Sequence, residues 1–112
     1  MKVVAVLGDL LLFSRIEAAA SFAGASIERV DSLDQLRDWD EVDLVLVDWS
    51  ARTDGWAAAL ADLQANGRAR IILFGQHTDL AAHAAARAAR AGPMWARSRL
   101  VRDLPSLLSG SA

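Results

Sequence analysis

Apolar, β-branched runs alternate along this chain with segments whose apolar residues recur every three or four positions. Lys2–Leu7 is such a run, ended by Gly8, and its lack of alternation suits a strand buried on both faces. From Leu10 to Ala23, Phe13, Ile16, Ala19, Ala20 and Ala23 fall at helical spacing, with Gly24 placed to stop the helix. Ser26–Val30 reads as a short strand. Ser32, with Gln35 three residues on, has the form of a capping box opening a helix that carries Leu33, Leu36 and Trp39.

The second half repeats the pattern. Asp43–Asp48 holds four consecutive apolar residues between carboxylates, the mark of a central strand. A loop over Trp49–Gly55 leads to a helix over Trp56–Asn66 that stops at Gly67. Arg70–Phe74 is a further buried strand closed by Gly75. Thr78 or Asp79 can cap an Ala-rich helix running to Ala91, with Gly92 and Pro93 as stop signals. Met94–Ala96 makes a fifth short strand. Leu100, Leu104, Leu107 and Leu108 are helically spaced, and because proline is tolerated in a first turn, Pro105 points to Asp103 as the cap of a short last helix. Strands alternating with helices predict one α/β domain over residues 1–112. Its sheet should be parallel, five-stranded and doubly wound, with helices on both faces; the order 2-1-3-4-5 is the one that flavodoxin-like folds of this kind show. Ligands of such sheets bind beyond the carboxyl ends of the strands. That draws attention to Gly8, Asp9, Asp48, Gly75, Gln76, Arg97 and Ser98.

Composition narrows the chemistry. At 54% hydrophobic and 23% charged residues the chain can bury enough surface to fold rather than stay disordered. It has no cysteine, which excludes disulfides and thiolate chemistry and fits a reducing, cytoplasmic compartment. No run is long enough to span a bilayer, so no membrane role is expected. His77 and His83 lack the spacing of a helical metal pair, and Gly8 stands without a Gly-x-Gly partner, so neither a metal nor a dinucleotide cofactor is expected. No serine sits in a nucleophile elbow, and no enzyme activity is expected. The net charge of −2 conceals an asymmetry: twelve of the fourteen acidic residues precede Gly67, while seven of the twelve basic ones follow it. A basic final third can steer an acidic partner.

In order and spacing, these segments resemble the receiver domain of the bacterial response-regulator family over nearly the whole chain. Asp43–Asp48 resembles the third strand with its phosphoacceptor aspartate, Asp54–Gly55 the pair opening the next helix, Arg70–Asp79 the fourth strand and its loop, and Ala91–Gly92 the turn before the fifth. The resemblance implies an acidic pair after the first strand for Mg²⁺, an aspartate after the third, a Ser/Thr after the fourth and a lysine after the fifth. Together these position and neutralise a transferring phosphoryl group. Here Gly8 and Asp9 replace the acidic pair, Gly75 stands at the hydroxyl position and Ser98 at the lysine position. Mg²⁺ is held weakly by few carboxylates.

What the resemblance implies is therefore a pseudo-receiver with a vestigial phosphoacceptor site at Asp9, Asp48, Gly75 and Ser98. Asp9 and Asp48 are expected side by side without a cation, because strand alternation would turn Arg97 and Arg99 away from Ser98. The expected role is a phosphorylation-independent signalling and interaction module. Its face, built from Arg87, Arg90, Trp95, Arg97, Arg99 and Arg102, would meet an acidic protein or a second copy through the last strand and its flanking helices; nucleic acid is not expected. A regulator phosphorylated at Asp48 and a small-ligand sensor at the vestigial site are the alternatives. Trp39 is expected in the core, Trp49 and Trp56 over the pocket or the core edge, and Trp95 either against the edge strand or as an interface anchor.

Overall fold

The computed structural model describes residues 1–36 and 39–109, the side chain of Trp39 excepted, so the core role expected of Trp39 lies outside the described residues. Five strands, β1 (Lys2–Val6), β2 (Ser26–Val30), β3 (Leu44–Asp48), β4 (Arg70–Gly75) and β5 (Trp95–Ala96), form one parallel sheet in the order 2-1-3-4-5. The helices are α1 (Leu10–Ala23), α2 (Trp56–Asn66), α3 (Leu80–Ala88) and α4 (Arg97–Leu108). No described helix is long and apolar enough to cross a membrane.

Strand side chains alternate between two separate cores. Val3, Ala5, Leu44, Leu46, Ile72 and Phe74 pack with α1 and α4, whereas Val4, Val6, Val45, Val47 and Leu73 pack with α2 and α3. Every residue of β3 is buried, as a central strand covered on both faces must be.

Local signals fixed several boundaries. Asp9 caps α1, its Oδ1 accepting from the Leu11 and Leu12 amides at 3.1 Å each, and Gly24 ends that helix in the left-handed region at φ 75°. Asp79 caps α3 through the Ala82 amide at 3.0 Å.

Elsewhere the structure corrects the reading. The Ser32–Gln35 box exists, with Gln35 Oε1 accepting from the Ser32 and Asp31 amides, but only a single 3₁₀ turn, Leu33–Gln35, follows it. Leu33 and Leu36 still reach the core from this turn. A second 3₁₀ turn, Trp39–Glu41, leads into β3. Helix α3 ends at Ala88, not Ala91, and Met94 precedes β5 instead of opening it. The largest difference is at the end of the chain: α4 begins at Arg97, directly after β5, with Pro105 inside it. Its leucines Leu100, Leu104, Leu107 and Leu108 close the first core, so the last helix is longer, and covers more of the sheet face, than a short helix capped by Asp103 would. Trp95 is 8% exposed for the same reason.

This coverage predicts that Leu104→Ala, which opens a cavity beneath α4, lowers unfolding free energy by about 2–5 kcal/mol. Urea titration measures it. A loss under about 1 kcal/mol would show that α4 does not close this face.

Candidate functional site

The carboxyl ends of β1, β3 and β5 bring three charged side chains together. Asp9 leaves β1 and is held by its capping bonds to α1, which leaves Oδ2 free to face the sheet. Asp48 ends β3, and its side chain is only 7% exposed. Arg97, the first residue of α4, lies between them: Nη1 donates to Asp9 Oδ2 at 2.9 Å and Nη2 to Asp48 Oδ2 at 3.1 Å. Fork geometry of this kind suits a guanidinium and not an ammonium.

The two carboxylates therefore do have a cation. Strand alternation fails as a guide here because the strand stops at Ala96 and the backbone turns helical at Arg97. Arg97, which strand alternation was expected to turn away from Ser98, supplies the positive charge between the two carboxylates. Ser98, expected at the lysine position, is exposed in the first turn of α4 and does not join Asp48.

Burial sets the electrostatics. It pushes the Asp48 carboxyl above the ordinary aspartate value, outweighing the pull of Arg97. Asp9 is held below that value, first by the Leu12 amide and then by Arg97. Asp48 Oδ1 and Arg97 Nε are both buried without a hydrogen-bond partner.

The hydroxyl position is also filled from elsewhere. A Cβ on Gly75 would collide with Ser50 Oγ and come within 3.1 Å of Met94 Sδ. Ser50 Oγ meanwhile accepts from the Gln76 amide at 3.0 Å. The side-chain-free residue at 75 is the sequence signal for this intruding hydroxyl, although it does not identify its owner.

The tryptophans resolve differently. Trp49 and Trp56 are buried in the second core, and Trp56 Nε1 donates to Ser32 Oγ at 2.8 Å. Two open depressions flank the clamp, one of about 860 Å³ between α1 and α4 and one of about 460 Å³ beside Gly75, and Asp48 lines neither. Of the expected interface residues, Arg99 stacks on the Trp95 ring at 3.9 Å and pairs with Asp103 at 3.6 Å. Arg102 also pairs with Asp103, at 3.1 Å, while Arg87 and Arg90 are exposed.

Solved structures match this architecture closely. A response regulator receiver domain protein from Clostridium thermocellum superposes with a TM-score of 0.72 over 98% of this chain and 92% of its own, at 14% identity. The fold is that of a receiver domain. An orphan response regulator of H. pylori matches at TM-score 0.70 and 17% identity, over 97% of this chain and 91% of its own. An atypical orphan response regulator, described as revealing a phosphorylation-independent regulatory mechanism, matches at 0.66 and 15%, over 97% of this chain and 95% of its own. No protein-family model matches the sequence, and no curated protein does. The receiver fold is thus held by a sequence only 14–17% identical to these structural neighbours.

Two outcomes follow from the clamp. Arg97→Met leaves Asp48 buried and unpaired; because Arg97 is partly open to solvent, the loss falls below the usual range for a broken buried pair, at about 2 kcal/mol at pH 7. Adding Asp48→Asn restores most of it. The single Asp48→Asn variant is as stable as wild type or more so at neutral pH. An aspartate whose folded-state pKa is raised contributes most stability in acid and loses it as pH rises through that value, so the advantage disappears on acidification. Thermal melts of all four proteins at neutral and acidic pH test this, and a neutral Arg97→Met would refute the clamp.

Gly75→Ser overpacks the strand end against Ser50 and costs about 1–3 kcal/mol, with relief when Ser50→Gly is added. Equal stability of Gly75→Ser and wild type would show that Ser50 moves aside freely.

Proposed function

We propose that this chain is a pseudo-receiver: a cytosolic, receiver-fold module that signals by protein contact and not by phosphoryl transfer. The observation that carries the reading is the Arg97 clamp, since the guanidinium occupies both carboxylates through which a receiver would hold Mg²⁺ and accept phosphate. Phosphoryl transfer depends on metal ions neutralising developing charge and on an in-line path to the nucleophile. Here the nucleophile's Oδ2 is committed to an internal cation, its Oδ1 is buried, and no hydroxyl extends from position 75. The described phosphorylation-independent mechanism of one structural neighbour agrees with this reading.

The contact face is the surface of α3, β5 and α4, where Arg87, Arg90, Arg99 and Arg102 give a basic character suited to an acidic protein. The Arg97 clamp also covers Asp48 against a small ligand, which counts against the sensor alternative.

Acetyl phosphate is expected to leave the intact mass unchanged, and Mg²⁺ with beryllofluoride to leave tryptophan fluorescence unchanged. A stoichiometric mass increase of one phosphate, abolished by Asp48→Asn, would overturn the proposal in favour of a phosphorylatable regulator.

A further inference from the structure

Helices α2 and α3 cover the same core without filling the space between them. Leu60 and Leu63 of α2 are turned into that core, as are Ala82 and Ala86 of α3. The side chains left to face the gap are Ala57 and Ala61 from one helix and Ala85 and Ala88 from the other. Methyl groups are too short to close it, so an open cleft of about 890 Å³ remains. The described hydrogen bonds between the helix α2 and the end of α3 lie at one place only, where Gln64 Nε2 donates to the Ala89 and Arg90 carbonyls at 3.2 and 3.5 Å.

Trp49 lines this cleft and carries an unmet polar group. The residue is 1% exposed, yet its indole Nε1 is buried without a hydrogen-bond partner. A buried indole N–H ordinarily has an acceptor, because a donor left unpaired forfeits the bond it made to water. The same group of Trp56 has one, in Ser32 Oγ. Arg52 covers Trp49: its guanidinium lies 5.8 Å from the ring centroid, and its Nη1 donates to the Trp49 carbonyl at 3.1 Å. Both contacts are made by a long, partly exposed side chain, so Arg52 is able to leave the ring without disturbing the core. The charges of the lining offset one another, Arg52 standing against Asp54, while the Asp79 carboxylate is engaged as the cap of α3.

We propose that the cleft between α2 and α3 binds an uncharged, planar heterocycle that accepts the Trp49 indole hydrogen through a ring nitrogen or a carbonyl oxygen. Small-molecule sites are mostly apolar clefts of about 300–1,000 Å³ with a few convergent polar groups. Each part of this lining selects one property. The unpaired N–H asks for an acceptor, the offset charges for a neutral molecule, and alanine walls beside an indole for a flat ring that stacks where Arg52 lies in the free protein. Asp9, Asp48 and Arg97 do not line the cleft, so the inference goes beyond the pseudo-receiver reading and does not depend on it.

The indole ¹H–¹⁵N resonances of the full chain test it, that of Trp49 being assigned by its loss in Trp49→Phe. Caffeine is the probe, because it is planar, uncharged and an acceptor without an N–H donor. Titrated to millimolar concentration, it should move the Trp49 indole proton downfield in a saturable manner and leave that of Trp56 in place. Indole, a flat ring with a donor and no ring nitrogen or carbonyl to accept, should give no downfield shift. Ala61→Leu and Ala88→Leu, each at an exposed position, add bulk from opposite walls. They should weaken caffeine binding about tenfold, because the added side chain must be displaced before a ring enters. Absence of a saturable shift at Trp49 would overturn the proposal. So would an equal response to indole, or undiminished caffeine affinity in both leucine variants.

Discussion

A carboxylate that ends a fully buried central strand has to be compensated, and the carboxyl-terminal half of this structure is arranged around that need. Strand β3 lies between β1 and β4 with helices over both faces, so Asp48 emerges where little water reaches it. Placing an isolated carboxylate in such surroundings costs several kcal/mol unless a cation and hydrogen bonds offset it. Arg97 meets the need. To reach Asp48 it must stand immediately after β5, at the start of a helix, and sharing its fork with Asp9 ties the carboxyl end of β1 to the same point.

The clamp gives physical meaning to the departures from the receiver pattern. An acidic pair, a hydroxyl and a lysine make an open site that a metal and a phosphoryl group complete from outside. In this chain the cation comes from within and the hydroxyl comes from Ser50, whose Oγ uses the space a side chain at residue 75 would need. Two carboxylates that share an internal guanidinium hold their geometry without an added cation. Arg87, Arg90 and Arg102 meanwhile remain exposed on the outer surface.

Much of this was legible along the chain, because the signals concerned are local. Buried parallel strands read as unbroken apolar runs, so β1, β3 and β4 are visible within a residue or so, and the alternation of runs and helical spacing is enough for a parallel sheet, while its order came from the likeness to flavodoxin-like folds. The cap at Asp79 needs only a side-chain oxygen three residues from the amide it accepts from, whereas the cap that Asp9 gives α1 was not read. The segment after Ser32 misled because a correct capping box starts a turn but cannot lengthen it. Pro105 misled in the opposite direction: the rule that places proline in a first turn suggested a late start, but burial of Leu100 and Leu104 against the first core holds the helix from Arg97 onward.

The sequence by itself determined the fold class, the buried strands and the strand ends at which Asp9 and Asp48 stand, since each depends on neighbours a few residues away. Only the tertiary structure decided what occupies that site. Arg97 lies 49 residues from Asp48 and 88 from Asp9, and Ser50 reaches the Gln76 amide across 26. Whether such groups meet depends on where a strand stops and a helix begins, to within a single residue. At Ala96 and Arg97 that change of backbone turns an arginine from an outer face into the centre of the site.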